Sequence, residues 1–417
     1  FGMVIWAWKR ELDRSALEDD SLNELLRLYR TANSRCAEDE SVKEECRQEL
    51  VALQQGDENN LAIWKECVGL SREGLQLIYD HLEVSFDHWL GESSYHKRLP
   101  GVVEDLLEAG LARESDGAVC VFSDNSVDPG KDPFRIQKEG RWEDKPMIVR
   151  KSDGGFNYAT TDIATIDYRV EELQADCAWY VVDHRQGDHF KQLFAVAARR
   201  GREIQLEHIS FGTILGKDGK PLKTRAGDLP LLSDLLDDAI QVARESSEGR
   251  SRVEDEGERK ALAELIGISA VKFMELSHHR SSDYIFDLEK MVSMEGDTAP
   301  YLQYSYVRCR SIFGKLGEEV VLDGEGLELS DEREIHLARM LTRFGEVVPV
   351  VLEGFRPNLL ASYLLELARA YHSFFQACPV LKSEGSVRNT RLVLCELTAC
   401  VLRKGLDLLG IAVPERM

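Results

Sequence analysis

Helical periodicity dominates both ends of the chain. Within residues 9–90, apolar side chains such as Leu22, Leu25 and Tyr29 recur at the three- and four-residue spacing of an amphipathic helix. The same spacing returns beyond residue 231, with Gly410 placed as a C-terminal helix cap. It predicts the helical segments Leu231–Glu245, Glu258–His278, Ala299–Lys315, Glu332–Val348, Leu359–Ala377 and Arg388–Leu409. We therefore expect the chain to end in an all-helical domain.

A short helix and a short strand precede a polar stretch in the middle of the chain. The helix is predicted from Val102 to Ala109 and the strand from Ala118 to Phe122. Residues 123–147 are rich in proline, glycine and charge, and they read as loops. This change in composition indicates an inserted subdomain.

Residues 148–235 alternate between helix and strand patterns. A helix from Tyr158 to Arg169 is followed by a strand at Ala178–Val182, a helix to Arg200 and a strand at Glu203–Ile209. Strand, helix, strand implies a parallel sheet, and ligands of such sheets lie beyond the carboxyl ends of the strands. Candidate site residues are therefore sought just after residues 182 and 209.

Composition restricts the classes of partner. The 417 residues carry 52 basic and 74 acidic side chains, a net charge of −22, so bulk charge does not hold this chain to nucleic acid or anionic lipid. Any nucleic-acid contact must be local. No apolar run reaches the length of a bilayer. The nine cysteines form no C-x-x-C pair, which indicates free thiols in a reducing cytoplasm without a structural zinc site.

Tyr158 and Asp162 stand four residues apart, so a phenol and a carboxylate share one helical face and can meet one ligand. The alternative is that Asp162 caps a turn while Tyr158 packs. A second polar cluster, from Asp183 to Phe190, follows the first predicted strand and includes His184, Gln186 and His189. It is either a ligand-binding edge or an ordinary solvated loop. A metal site is not expected there, because no third ligand has matching spacing.

A third segment, Phe211–Gly227, concentrates cations in an acidic protein. Lys217, Lys220, Lys223 and Arg225 lie within nine residues, among glycines that allow close approach of backbone to a ligand. This composition suits a polyphosphate. The alternative is a surface hairpin, because Asp218-Gly219 is itself a strong turn signal. The segment does not match the Walker P-loop.

Together these motifs resemble the second catalytic half of class I arginyl-tRNA synthetases. The resemblance rests on Tyr158-Ala-Thr-Thr-Asp162, on Asp183-His-Arg-Gln186 with His189-Phe190, and on Phe211–Arg225. It continues through Glu295–Tyr304 to the ending Leu408–Met417. It implies an α/β plus all-α fold: a Rossmann-like core, mostly its second half, with an inserted subdomain and a helical-bundle anticodon-binding domain. Domain limits would be 1–147 for the remaining first half and insertion, 148–235 for the second half, and 236–417 for the helical domain.

The resemblance implies roles for individual residues. Tyr158, Asp162 and Gln186 would surround the arginine side chain, since a planar guanidinium needs a carboxylate, an amide oxygen and an aromatic wall. Leu222-Lys223-Thr224-Arg225 is similar to the family's K-M-S-K-S signature, with Thr224 replacing the second lysine. The cation that stabilises the departing pyrophosphate could therefore be Lys220, Lys223 or Arg225. The residues implied for ATP binding are His189, Gly212, Gly216 and Lys223.

The helical domain offers residues suited to RNA. Tyr301, Tyr304 and Arg308 combine stacking faces with a cation, and Phe375 and the terminal Met417 are further tRNA-binding candidates. The alternative is that Tyr301 and Tyr304 fill a helix-bundle core.

The implied reaction is ATP-dependent activation of L-arginine to arginyl-adenylate, then transfer to the 3′-terminal ribose of tRNA(Arg), with Mg²⁺ accompanying the triphosphate and no tightly bound metal. The enzyme would be a cytoplasmic monomer without membrane contact. The family's His-Ile-Gly-His signature does not occur in these 417 residues, so we expect it upstream and expect the chain alone not to activate arginine efficiently. Two alternatives are a catalytically silent tRNA-binding paralogue or fragment, and a class I enzyme for another amino acid.

Overall fold

The computed structural model describes residues 1–222, 231–247, 254–316 and 326–417. The backbone divides into two compact units, Phe1–Phe86 and Asp87–Met417. Among the described helices, none is both long and apolar enough to cross a bilayer.

Four of the five helices of the first unit begin at aspartates. Asp13, Asp20, Asp39 and Asp57 each accept hydrogen bonds from backbone N–H groups of the following turn, which satisfies donors that a helix start leaves free. The core contains Ile5, Trp6 and Leu28. These elements confirm the helical prediction as far as His81, whereas residues 82–90 are not helical. The helices are α1 (Gly2–Glu11), α2 (Arg14–Asp19), α3 (Ser21–Glu38), α4 (Glu40–Gln54) and α5 (Glu58–His81).

The second unit opens with a 3-10 helix (Glu92–Arg98), helix α6 (Leu99–Glu108) and five short strands. Three strands form an antiparallel sheet in the order β1-β2-β5, and β3 pairs with β4. The strands are β1 (Ala112–Ser115), β2 (Ala118–Val121), β3 (Arg135–Lys138), β4 (Arg141–Asp144) and β5 (Met147–Arg150).

The β3–β4 hairpin corrects the loop prediction for residues 123–147. Seven of its eight strand residues are exposed, so no apolar alternation marks it in the sequence. Ion pairs rather than apolar contacts link the side chains of the two strands: Arg135 lies 2.9 Å from Asp144, and Lys138 lies 3.3 Å from Glu143.

The α/β segment confirms the strand, helix, strand prediction. Helix α7 (Tyr158–Glu171) precedes strand β6 (Cys177–Asp183), helix α8 (Gly187–Arg199) and strand β7 (Gln205–Phe211). Strands β6 and β7 are parallel, with Cys177 opposite Gln205 and Asp183 opposite Phe211. Their carboxyl ends therefore lie side by side. Gln192 of α8 donates to the carbonyls of Pro133 and Lys145, which ties the insertion to the sheet's helix.

The rest of the chain is mainly helical, as predicted. A short parallel pair, β8 (Ile214–Leu215) and β9 (Tyr284–Ile285), joins the α/β segment to the helices. The large helical core includes Leu302, Tyr371, Phe374 and Leu402. Gly410 has φ +66°, the left-handed conformation expected of a helix terminator. The helices are α9 (Leu232–Ser247), α10 (Glu256–Ser277), α11 (Leu288–Met291), α12 (Ala299–Leu316), α13 (Glu332–Thr342), α14 (Phe344–Gly354), α15 (Pro357–Ala377) and α16 (Gly385–Leu408).

The prediction of a single helix over Glu332–Val348 is wrong. The chain breaks at Arg343 into α13 and α14. The Tyr363 hydroxyl donates to the Met340 carbonyl at 2.9 Å, and the Arg343 N–H also bonds that carbonyl. Met340 is the residue whose carbonyl would accept from Phe344 in a continuous helix. A contact from α15 thus competes with the helix, and local periodicity cannot report it.

Candidate active site

The loop after β6 is held by Asp183. Its carboxylate accepts from the Arg185 backbone N–H at 2.8 Å and from the Arg185 Nε and Nη2 atoms at 2.9 Å each. The Arg185 side chain and then its backbone N–H lower the pKa of Asp183 to about 2. His184 Nδ1 lies 3.3 Å from the Phe211 carbonyl oxygen, which joins this loop to the end of β7. The two strand ends thus form one edge, with Gln186 on it.

Tyr158, Asp162 and His189 meet beside this edge. Asn157 accepts from the Tyr158 N–H at 2.9 Å and so begins α7, which places Tyr158 and Asp162 one turn apart on one face. Asp162 Oδ2 lies 2.7 Å from His189 Nε2. The Tyr158 ring meets the His189 ring edge-on, with 4.8 Å between centroids. A carboxylate, a phenol and an imidazole are therefore fixed in one cluster.

Exposure separates the members of this cluster. The His189 side chain is 12% exposed and the Asp162 side chain 33%, whereas Tyr158 is 59% exposed. Asp162 Oδ1 has no recorded hydrogen bond in the part of the chain that the structure describes. The Tyr158 ring is therefore open to solvent, and the Asp162 carboxylate is partly so.

Gln186 lies on the same edge but makes no recorded contact with this cluster. It is exposed, it precedes α8, and His189 follows three residues later in the first turn of that helix. Its side chain makes no recorded hydrogen bond to any described residue. His189 thus contacts both Tyr158 and Asp162, whereas Gln186 is an exposed residue nearby in sequence.

The Asp162–His189 pair was not predicted. Sequence reasoning placed His189 with ATP, whereas the contact recorded here is to the arginine candidate Asp162. The two residues are 27 positions apart on different helices, so no periodicity connects them. The available signal was topological: a histidine one turn into a helix that follows a parallel strand.

Gly212 follows β7 where two backbone segments pack closely. Its N–H donates to the Arg280 carbonyl at 2.8 Å, and the next N–H, of Thr213, donates to Asp283 Oδ1 at 2.7 Å. A Cβ atom on Gly212 would lie 2.7 Å from the Ser282 carbonyl oxygen. Backbone packing by itself therefore accounts for glycine at this position, and no contact with a ligand is needed to explain it.

Gly212→Ala is expected to lower the free energy of unfolding by about 1–3 kcal/mol, because the added methyl group meets backbone that cannot rotate away. Urea unfolding followed by circular dichroism measures the loss. Gly216→Ala is the matched control, since its Cβ would lie nearest to a side-chain atom, Asp218 Oδ1 at 3.2 Å, while the nearest backbone atom, the Lys220 carbonyl oxygen, is 3.8 Å away. Equal unfolding midpoints for the two variants would contradict the assignment.

The cationic segment begins as a hairpin. The Gly216 N–H donates to the Lys220 carbonyl at 2.8 Å, and Gly219 turns the chain with φ +74°. This confirms the turn signal at Asp218-Gly219. Lys220 is exposed, and its ammonium group has no recorded ion pair within the described ranges, while Lys217 lies 3.5 Å from Asp287. Lys223, Thr224 and Arg225 lie outside the described residues.

The helical domain brings together three of the five RNA candidates. Arg308 lies over the Tyr304 ring at 4.6 Å and over the Phe375 ring at 5.3 Å. Tyr301 instead packs half-buried against the helical core. Met417 packs against a different apolar cluster that includes Tyr284 and Phe286.

No group of three or more His, Cys, Asp or Glu side chains in the described ranges is arranged to hold a metal ion.

Comparison with protein families identifies both parts of the chain. Residues 1–288 match the family model for the catalytic domain of class I tRNA synthetases (R), and residues 302–417 match the DALR anticodon binding domain.

Individual relatives agree with these matches. The arginine–tRNA ligase of Idiomarina loihiensis is 43% identical over 423 residues, covering 100% of this chain and 71% of that protein. The arginine–tRNA ligase of Rhodopirellula baltica is 45% identical over 393 residues, covering 88% of this chain and 55% of that protein.

Solved structures show the same fold. The arginyl-tRNA synthetase of Thermus thermophilus superposes with a TM-score of 0.81 at 22% identity, covering 100% of this chain and 74% of that one. The arginyl-tRNA synthetase of Plasmodium falciparum gives 0.79 at 24% identity, covering 100% and 67%. From the family matches and the relatives' identities, the chain belongs to the class I arginyl-tRNA synthetases, the ligases that join arginine to tRNA.

Proposed function

We propose that Asp162 and Tyr158, together with Gln186 on the neighbouring strand edge, bind the arginine side chain for ATP-dependent activation and transfer to tRNA(Arg). Support comes from the matched chemistry of the groups. A guanidinium is a flat cation with five N–H donors, and it binds best where a carboxylate and an aromatic face are both available.

Asp162 supplies the charge. Its Oδ2 is engaged by His189, and its Oδ1 is left to accept from a guanidinium N–H. Since the carboxylate is two-thirds shielded, its attraction for a cation is screened less than that of a fully exposed pair. The His189 bond also limits rotation of the carboxylate, so less side-chain entropy is lost on binding.

Tyr158 and Gln186 supply shape and a neutral acceptor. The exposed Tyr158 ring offers a face for stacking, and its edge contact with His189 fixes its direction. The Gln186 carboxamide oxygen accepts a further N–H from the ligand. Lysine, a point charge without a planar fork, fits this set less well.

ATP would enter as its Mg²⁺ complex near the Gly216–Lys220 hairpin. Support comes from the exposed Lys220 ammonium and from the three further cations that follow Gly216 in the sequence. As the arginine carboxylate attacks the α-phosphate, negative charge develops on the departing pyrophosphate, and fixed cations stabilise it. Gly212 is better explained by its backbone packing than by nucleotide contact.

The helical domain would bind tRNA through Tyr304, Arg308 and Phe375. Two partly exposed rings and a cation suit unpaired bases and the phosphates between them. Because the protein as a whole carries a net charge of −22 and does not attract RNA, a local surface of this kind is needed to bind tRNA. We also propose a cytoplasmic location, supported by nine cysteines that are all free thiols.

One observation carries this proposal: a shielded carboxylate with one free oxygen, beside an open aromatic face, at the carboxyl edge of parallel strands. The test is exchange of labelled pyrophosphate into ATP by the protein expressed from its complete open reading frame, with arginine, lysine or glutamate, with and without tRNA(Arg). We expect exchange with arginine alone among the three. Exchange with lysine or glutamate would reject the substrate, and tRNA binding without exchange would favour a silent RNA-binding paralogue.

A further inference from the structure

Arg308 is a half-buried cation that no carboxylate neutralises among the residues the structure describes. Its Nη1 donates to His372 Nδ1 at 2.9 Å, and its Nη2 donates to the Tyr304 hydroxyl at 2.7 Å. Nearby arginines differ, because Arg310 pairs with Glu396 at 2.6 Å and Arg369 pairs with Asp297. The positive charge of Arg308 is therefore not offset by a described carboxylate, although the protein is strongly acidic.

The acceptor on His372 fixes the tautomer of its ring. Since Nδ1 accepts from Arg308, it carries no proton, and the neutral imidazole must hold its proton on Nε2. The Gln376 side-chain nitrogen lies 2.7 Å from this Nε2. Because two donors cannot hydrogen-bond to each other, the amide must be turned by half a turn, so that its oxygen accepts the proton. A relay from Gln376 through His372 thus holds Arg308 in one orientation.

That orientation places the guanidinium against both aromatic rings. Arg308 lies 4.6 Å from the centroid of Tyr304 and 5.3 Å from that of Phe375, and these rings are 40% and 36% exposed. A long arginine side chain is ordinarily mobile, and ordering it on binding costs affinity. Preorganisation by His372 removes much of that cost.

We propose that His372 is a positioning residue for RNA recognition, which holds Arg308 between Tyr304 and Phe375 for contact with a single-stranded loop of tRNA. This inference rests on the proposed binding of tRNA by the helical domain. Arg308 meets the phosphates, and the rings stack on unpaired bases. His372 does not itself touch the RNA.

The test measures fluorescence anisotropy of the 417-residue chain with a labelled stem-loop RNA that carries the anticodon loop of tRNA(Arg). Arg308→Ala should weaken binding about tenfold and lower the slope of log affinity against log salt by about one. His372→Gln moves the amide acceptor away from the Nδ1 position and should weaken binding about fivefold. His372→Asn keeps an oxygen near Nδ1 and should stay within about twofold of the native chain.

The matched control is Arg310→Ala, which removes a cation already neutralised by Glu396 and should leave affinity within about twofold. His372→Gln added to Arg308→Ala should cause no further loss, because His372 acts only through Arg308. An additional loss in that double variant, or native affinity in His372→Gln alone, would overturn the positioning role while leaving the RNA surface intact. Native affinity in Arg308→Ala would reject the RNA surface itself.

Discussion

Asp162→Asn is expected to weaken L-arginine binding roughly 30- to 150-fold, the effect of losing about 2–3 kcal/mol from a charge-assisted hydrogen bond. Asparagine keeps an oxygen that accepts from His189, so the contact between α7 and α8 survives. What disappears is the negative charge facing the guanidinium. Calorimetric titration of L-arginine into both proteins measures the change.

Citrulline sharpens this test because its side chain has the shape of arginine without the charge. The native chain should prefer arginine over citrulline, and Asp162→Asn should lose most of that preference. Asp188→Asn is the matched control: this carboxylate lies one residue from His189 but is paired with Lys145 at 2.7 Å. It should leave arginine affinity unchanged. Native arginine affinity in Asp162→Asn would remove Asp162 from the arginine site.

Local signals in the sequence were sufficient for the elements that position the site. The apolar run Ala178–Val182 and the polar run after it predicted a strand ending at a ligand edge, and β6 ends at Asp183 as that pattern requires. Asp218-Gly219 predicted a turn, which Gly219 makes with positive φ. These features depend on neighbours in the chain, so the sequence carries them directly.

Contacts between distant segments were beyond that reasoning. The Asp162–His189 bond joins two helices, and the Tyr363–Met340 bond that divides α13 from α14 comes from a third helix. Met417 illustrates the same difficulty. It was a candidate for tRNA binding in the helical domain, and it packs with the cluster around Tyr284 and Phe286.

Glu334→Ala is expected to lower the free energy of unfolding of the helical domain by about 3–5 kcal/mol. The fully buried Glu334 carboxylate accepts from Arg391 Nε at 2.6 Å and from the N–H groups of Ser330 and Asp331 at 2.8 and 3.1 Å. Alanine leaves a guanidinium that is 13% exposed without its carboxylate and removes one half of the capping box that begins α13. Urea unfolding gives the loss, and amide hydrogen exchange in α13 and α16 should rise first.

Glu332→Ala is the matched control, because Glu332 occupies the same helical turn but is exposed; it should change stability by less than about 0.5 kcal/mol.

The pH dependence of the free energy of unfolding provides an independent check. Burial by itself raises the pKa of Glu334, but Arg391 and the two backbone N–H groups outweigh it and hold the pKa below its ordinary value of 4.5. A lowered folded-state pKa means that this stabilisation is complete above pH 4.5 and is lost as the pH falls through the folded value. The stability gap between the native chain and Glu334→Ala should therefore narrow in acid, and a gap that stays constant down to about pH 3 would show that packing rather than the ion pair accounts for the loss.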